Sequence, residues 1–241
     1  MTKRRIDSLL VERGLVESRV RAQALIMAGK VVVDGKAVIK SGTLVVGEAV
    51  ITVAEPPPFV GRGGLKIEYA LDRFQLDVSS KVVADIGAST GGFTDCLLKR
   101  GVSRVYAIDV GRGQLDYRLR RDSRVVVMEK VNARYPITLP EKVDLATIDV
   151  SFISVEQVIP SVVQLVKENG YLLVLIKPQF EARRREVGKS GVIKQPVVHA
   201  RVLGRFIAWM VAHSFRLGGL VDSPVLGAAG NREFFALLKL T

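Results

Sequence analysis

The 241-residue sequence has one cysteine, two histidines, few aromatic residues and a deficit of acids. With Cys96 alone, no disulfide forms within the chain, and a Cys/His metal cluster is excluded, so no metal is expected. Aromatic residues make up 6%. That scarcity argues against a base-stacking platform and for recognition by shape and phosphate contact. The longest apolar runs span about seven residues, as in 206–212, whereas a membrane-spanning helix needs about 20. The opening MTKRR carries no apolar signal core, which predicts a cytoplasmic protein with no membrane partner. Against 24 acids stand 36 Lys and Arg, a formal charge of +12 at pH 7. A chain this basic points to a polyanion, most often nucleic acid.

The length allows one full α/β domain and a small accessory domain. Residues 1–55 read as helix, helix, then a small hairpin-rich sheet. The first helix carries Ile6, Leu9, Leu10 and Val11 and ends at Gly14. The second runs from about Ser18, its N-cap, to Ala28, with Gly29 at its C-terminal end. Asp34-Gly35 is a hairpin signal between short strands. Pro56, Pro57 and Pro58 mark a stiff connector, so residues 56–62 are read as a linker and 63–241 as the second domain. From Lys81 onward, near-continuous apolar runs alternate with helical patterns, as expected for parallel strands buried on both faces. The last part, about Arg216–Leu226 and Glu233–Leu240, reads as two strands joined by a loop, one of them antiparallel.

The first strand of that domain ends in Asp85-Ile86-Gly87-Ala88-Ser89-Thr90-Gly91-Gly92-Phe93, and a helix follows. The glycines allow a tight turn and close approach of a ligand, but the spacing is not the G-x-G-x-x-G that seats a pyrophosphate. Asp85 just before the turn would repel a pyrophosphate and suits a ligand carrying an ammonium group. Asp109, ending the second strand, fits ribose hydroxyls of any nucleoside. Asn132, after the third, is positioned to meet an adenine edge. Together these favour S-adenosylmethionine over NAD.

Four further residues fall where such a fold gathers chemistry. Asp149 and Lys177 follow the fourth and fifth strands, at the carboxyl edge where open α/β sheets bind ligands. Glu233 begins the final strand, which reaches the same edge if antiparallel. Lys66 sits near the start of the helix before the first strand. Two amines and two acids beside a methyl donor suit transfer to a ribose hydroxyl, a poor nucleophile that calls for a positioned base. Lys177 precedes Pro178, which holds its backbone extended.

The segments GRGGLK (61–66), DIGASTGGFTDCLL (85–98), DVGRGQLDYRLR (109–120), IDVSFIS (148–154), IKPQFE (176–181) and GNREFFALL (230–238) resemble the TlyA family, known both as rRNA 2′-O-methyltransferases and as hemolysins. The catalytic part resembles the wider FtsJ/RrmJ-like group, and residues 1–55 resemble the S4 RNA-binding domain. The resemblance implies a Rossmann-like methyltransferase fold, a seven-stranded, mostly parallel sheet with one antiparallel strand, beside a small α+β domain. It implies a tetrad of Lys66, Asp149, Lys177 and Glu233 with Lys177 as base, and Asp85, Gly87, Ser89, Gly91, Gly92 and Phe93 bordering S-adenosylmethionine. It implies a cytidine 2′-hydroxyl in ribosomal RNA, free or in a subunit, as acceptor.

Candidate phosphate contacts are Arg4, Arg5, Arg19, Arg21 and Lys30 on or beside the first two helices, Arg62, and Arg183, Arg184 and Arg185 after the catalytic strand. A catalytically inactive RNA-binding assembly factor is disfavoured by the presence of all four tetrad residues. A membrane-active hemolysin is disfavoured by the missing apolar span, and an NAD-dependent oxidoreductase by the glycine spacing.

Overall fold

The computed structural model describes residues 3–54, 57–188, 190–227 and 229–240. The chain divides into two compact units, Met1–Pro57 and Pro58–Thr241.

The first unit contains β1 (Lys3–Arg5), α1 (Ile6–Glu12), α2 (Arg19–Met27), β2 (Val31–Val33), β3 (Lys36–Val38), β4 (Leu44–Val46) and β5 (Ile51–Val53). Strands β3, β2 and β5 form an antiparallel sheet, and β1 pairs with β4. Asp34 and Gly35 both have positive φ, 47° and 78°, as a two-residue hairpin turn requires. The Ser18 side chain accepts from the Arg21 N–H at 3.2 Å and caps α2. Ile6, Leu10, Ala22, Ile26 and Val31 pack as one core. A strand ahead of the first helix was not expected. Lys3, Arg4 and Arg5 are all exposed, so β1 is held by backbone pairing and leaves no apolar alternation to read.

The second unit contains α3 (Gly63–Arg73), β6 (Val82–Ile86), α4 (Gly92–Lys99), β7 (Arg104–Asp109), α5 (Tyr117–Arg120), β8 (Val125–Glu129), β9 (Val143–Ile148), α6 (Ile159–Val162), β10 (Val166–Ile176), α7 (Pro178–Glu181), α8 (Pro196–Ala212), β11 (Arg216–Asp222) and β12 (Phe234–Lys239). One sheet runs β11-β12-β10-β9-β6-β7-β8. β12 alone runs against the direction of the other six strands, so the fold is the Rossmann-like one expected. Alternate residues of the same strands supply two cores. Ala84, Ile86, Ile148 and Val174 meet α8 through Val202, Phe206 and Met210. Val83, Val105, Leu173 and Leu175 meet Ile67, Leu71, Cys96 and Leu97 of α3 and α4. Each such fully buried aliphatic side chain contributes roughly 1.5–3 kcal/mol. Burial pushes the Cys96 thiol up to about 12, consistent with a packing role.

Pro58–Arg62, read above as linker, belongs to this unit: Phe59 is buried in its core. β11 stops at Asp222 rather than near Leu226. Pro224 has no N–H for a ladder, and the Ser223 hydroxyl turns back to the Val225 carbonyl at 2.9 Å.

Candidate active site

The register of the sheet brings the site residues to one edge. Ile86 pairs with Ile148, and Ile176 pairs with Phe234. Gly87, Asp149 and Lys177 therefore follow the last paired residues of parallel strands, while Glu233 precedes the first of β12. Lys177 and Glu233 flank a single backbone pair.

The four tetrad residues form two ion pairs. Lys66 Nζ lies 2.6 Å from Glu233 Oε2, and these side chains are only 11% and 3% exposed. Lys177 Nζ lies 2.6 Å from Asp149 Oδ1 and donates to Ser151 Oγ at 2.8 Å. The Asp149 contact is Coulombic rather than a directed hydrogen bond, because its buried Oδ1 accepts none of good geometry. Lys66 reaches this edge because α3 and α4 approach closely. A Cβ on Gly92 would stand 2.9 Å from the Gly64 nitrogen. Glu233 is set by a buried Asn231, which accepts from the Ile193 N–H and donates to the Gly191 carbonyl, each at 2.9 Å.

Beside Asp149 lies a cleft of about 490 Å³, within the size range of small-molecule sites. Gly87, Ser89, Asp109 and Asn132 line it, with apolar walls from Ile86, Ile108, Val131 and Val158. Gly87 has φ +83°, and a Cβ there would stand 2.4 Å from the Asp149 carbonyl oxygen, so only glycine lets the turn pass. Asp109 accepts from the Ser89 N–H at 2.8 Å and the Gly111 N–H at 2.7 Å, tying two wall loops together. Each of its oxygens keeps a second lone pair. Asn132 Oδ1 accepts from the Arg134 N–H at 3.0 Å. Its amide nitrogen has no partner among the described residues and is free to donate.

The other four residues expected at the cofactor face inward. Asp85 is fully buried, and its carboxylate accepts from Thr94 Oγ1 at 2.7 Å and Thr147 Oγ1 at 2.9 Å. Burial pushes it up to about 6. Strand alternation turns it to the face of α3 and α4, so the carboxylate expected to meet an ammonium group is not among the residues that line the cleft. Gly91 packs against Leu119 and Leu115, Gly92 against Gly64, and Phe93 against Phe235 at 6.1 Å.

Sequence reasoning missed Gln114, Arg134, Ser151 and Phe152, which also line the cleft. Ser151 and Phe152 lie within IDVSFIS and Gln114 within DVGRGQLDYRLR, so proximity to a strand end was the available signal. Phe152 is 91% exposed. Glu181, half-buried beside this loop, accepts from Ser154 Oγ at 2.6 Å and the Val155 N–H at 2.9 Å, and desolvation raises its carboxyl above the ordinary range.

The basic residues split into two groups. Arg4 pairs with Glu12 at 2.6 Å. Arg5 and Arg19 lie 2.9 and 3.1 Å from the buried Asp7, and their hydrogen bonds hold its carboxyl far below the usual carboxylate range. The side chains of Arg21, Lys30, Arg62, Arg183, Arg184 and Arg185 are exposed and have no ion-pair partner among the described residues.

Comparison with known proteins gives this geometry a family. Residues 59–240 match the FtsJ-like methyltransferase model and residues 4–51 the S4 domain model. The chain belongs to the FtsJ-like methyltransferase family. It is 46% identical over 239 residues to YqxC of Bacillus subtilis, named as a candidate rRNA methyltransferase, covering 96% of this chain and 84% of that one. It is 41% identical over 242 residues to the 16S/23S rRNA (cytidine-2′-O)-methyltransferase TlyA of Mycobacterium tuberculosis, covering 98% and 89%. A solved structure from Streptococcus thermophilus, named as a candidate hemolysin, is 40% identical with a TM-score of 0.76, covering 100% and 90%. Among the described residues, no helix is long and apolar enough to cross a membrane.

Proposed function

We propose that the chain transfers a methyl group from S-adenosylmethionine to the 2′-hydroxyl of a cytidine in ribosomal RNA. The observation that carries this reading is the Lys177–Asp149 pair at the carboxyl edge of the sheet, opening onto a nucleoside-sized cleft. The cleft suits the cofactor: Asp109 offers acceptors for ribose hydroxyls, Asn132 a free donor for an adenine edge, and the walls are apolar. When bound, S-adenosylmethionine supplies an electrophilic methyl carbon.

The residues of this chain supply the rest. Lys177 accepts the proton of the ribose hydroxyl as its oxygen becomes the nucleophile. Asp149, 2.6 Å away, stabilises the ammonium that results. The Lys66–Glu233 pair, itself nearly closed to water, stands at the same edge of the sheet. Residues 1–55 and the free arginines at 183–185 bind RNA through its phosphates. This reading draws on the substrate named for the Mycobacterium relative.

The test is transfer of labelled methyl from S-adenosylmethionine to ribosomal subunits. Lys177→Ala is expected to abolish transfer and leave cofactor affinity intact. A retained rate refutes Lys177 as the base.

A further inference from the structure

We propose that Ser151 is a positioning residue for the Lys177 amine, taking one of its N–H groups so that, together with Asp149, it sets where the nitrogen lone pair points. This rests on the reading of Lys177 as the base. A neutral amine carries two N–H groups and one lone pair in a tetrahedral arrangement. The Asp149 carboxylate alone leaves rotation about the Cε–Nζ bond free, and that rotation sweeps the lone pair through a cone. A directed hydrogen bond to a second group stops the sweep. Ser151 Oγ accepts one N–H at 2.8 Å, and the Asp149 carboxylate, whose Oδ1 lies 2.6 Å from the nitrogen without a directed bond, draws the other N–H by its charge. The remaining direction is left for the substrate proton.

The backbone around Ser151 is built to hold it there. Phe152 has φ +64°, a conformation that a bulky side chain adopts only when its surroundings enforce it. Phe152 is displayed to solvent and leans on Phe180, ring centre to ring centre 5.0 Å. The loop is anchored at both ends. The Asp149 N–H donates to the Ile86 carbonyl at 2.9 Å, and Glu181 receives Ser154 Oγ and the Val155 N–H. Glu181 lies four residues after Lys177 on the same short turn. The segment carrying the serine is therefore tied to the segment carrying the amine, which limits drift between them.

The experiment measures initial rates of methyl transfer from S-adenosylmethionine to ribosomal subunits by the full chain and its Ser151→Ala, Ser151→Thr and Lys177→Ala variants. Ser151→Ala is expected to lower kcat by about tenfold to a hundredfold, with KM for subunits and Kd for S-adenosylmethionine changed by less than about twofold. Ser151→Thr, which keeps the hydroxyl, is expected to recover most of the rate. Full kcat in Ser151→Ala beside an inactive Lys177→Ala overturns the role of Ser151 and leaves the base reading standing. Activity in Lys177→Ala, or none in the unaltered chain, overturns the functional reading and this proposal with it. A loss in Ser151→Ala that appears in KM or cofactor Kd, or that threonine does not repair, assigns the hydroxyl to ligand binding and also overturns the proposal.

Discussion

The buried Lys66–Glu233 pair offers a way to separate what holds the site together from what the site does. Its side chains are 11% and 3% exposed, so water screens neither charge once the partner is gone. Replacing Glu233 with Leu leaves the Lys66 ammonium buried and unpaired, which costs about 3–5 kcal/mol. For a unit of this size that lowers Tm by roughly 6–20 °C. The Arg4–Glu12 pair is the internal control. Its side chains are 54% and 48% exposed, so Glu12→Ala is expected to cost under about 1 kcal/mol. The double variant Lys66→Met/Glu233→Leu removes both charges and keeps similar volume, and is expected to regain most of the stability. It is not expected to regain methyl transfer. The assays are thermal unfolding and labelled-methyl incorporation. If Glu233→Leu costs no more than Glu12→Ala, the burial argument fails; if the stable double variant still methylates RNA, the pair is scaffolding alone.

Two further outcomes test other parts of the structure. Asp85 has an ordinary value of 3.8 and a folded value of about 6. Below 3.8 both states hold the proton. Between 3.8 and 6 the unfolded chain releases it first, so stability falls as pH rises through that window, by up to about 3 kcal/mol, and is flat above it. Asp85→Asn is expected to lack this fall, and the stability difference between the two proteins, from urea unfolding at pH 4–7, should change across that window; a constant difference contradicts the burial of an ionisable Asp85. Replacing Arg183, Arg184 and Arg185 together by Ala is expected to weaken binding of an rRNA fragment and to flatten its log–log salt dependence by up to about 2–3 units. An unchanged slope between 50 and 200 mM salt, about a thousandfold to hundred-thousandfold affinity range for a fully engaged site, would mean that these guanidiniums do not meet phosphates.

The parts of the site that could be read from sequence are those determined by where an apolar run stops. Asp149 and Lys177 follow uninterrupted strands, and Glu233 precedes one, so their positions at the sheet edge needed only the strand directions. Asp85 was harder. It sits inside its strand, and which face it presents depends on which helices cover that face. The glycine segment was read as a cofactor turn throughout, yet Gly91 and Gly92 serve the packing of α4 against Leu119 and Gly64. Backbone permissiveness looks the same in sequence whether a ligand or a helix makes the close approach. Ser151 was passed over for another reason. It lies two residues beyond Asp149, and no sequence pattern says that its hydroxyl meets Lys177; the neighbouring Phe152 has positive φ, an arrangement that residue preference argues against. β1 was lost because backbone pairing alone holds it.

Charge distribution connects the two halves of the reading. The chain carries +12 overall, yet the tetrad sums to zero: each lysine is matched by a carboxylate at 2.6 Å. A cationic methyl donor would be disfavoured beside uncompensated positive charge. The pairing removes that conflict locally while the excess stays on exposed side chains such as Arg183, Arg184 and Arg185. In the proposed reaction a basic exterior would draw in the phosphates, and a tetrad of zero net charge would leave room for the cation. On the proposed reading the acids of the tetrad serve the chemistry as its amines do, by keeping the site neutral beside a cationic donor.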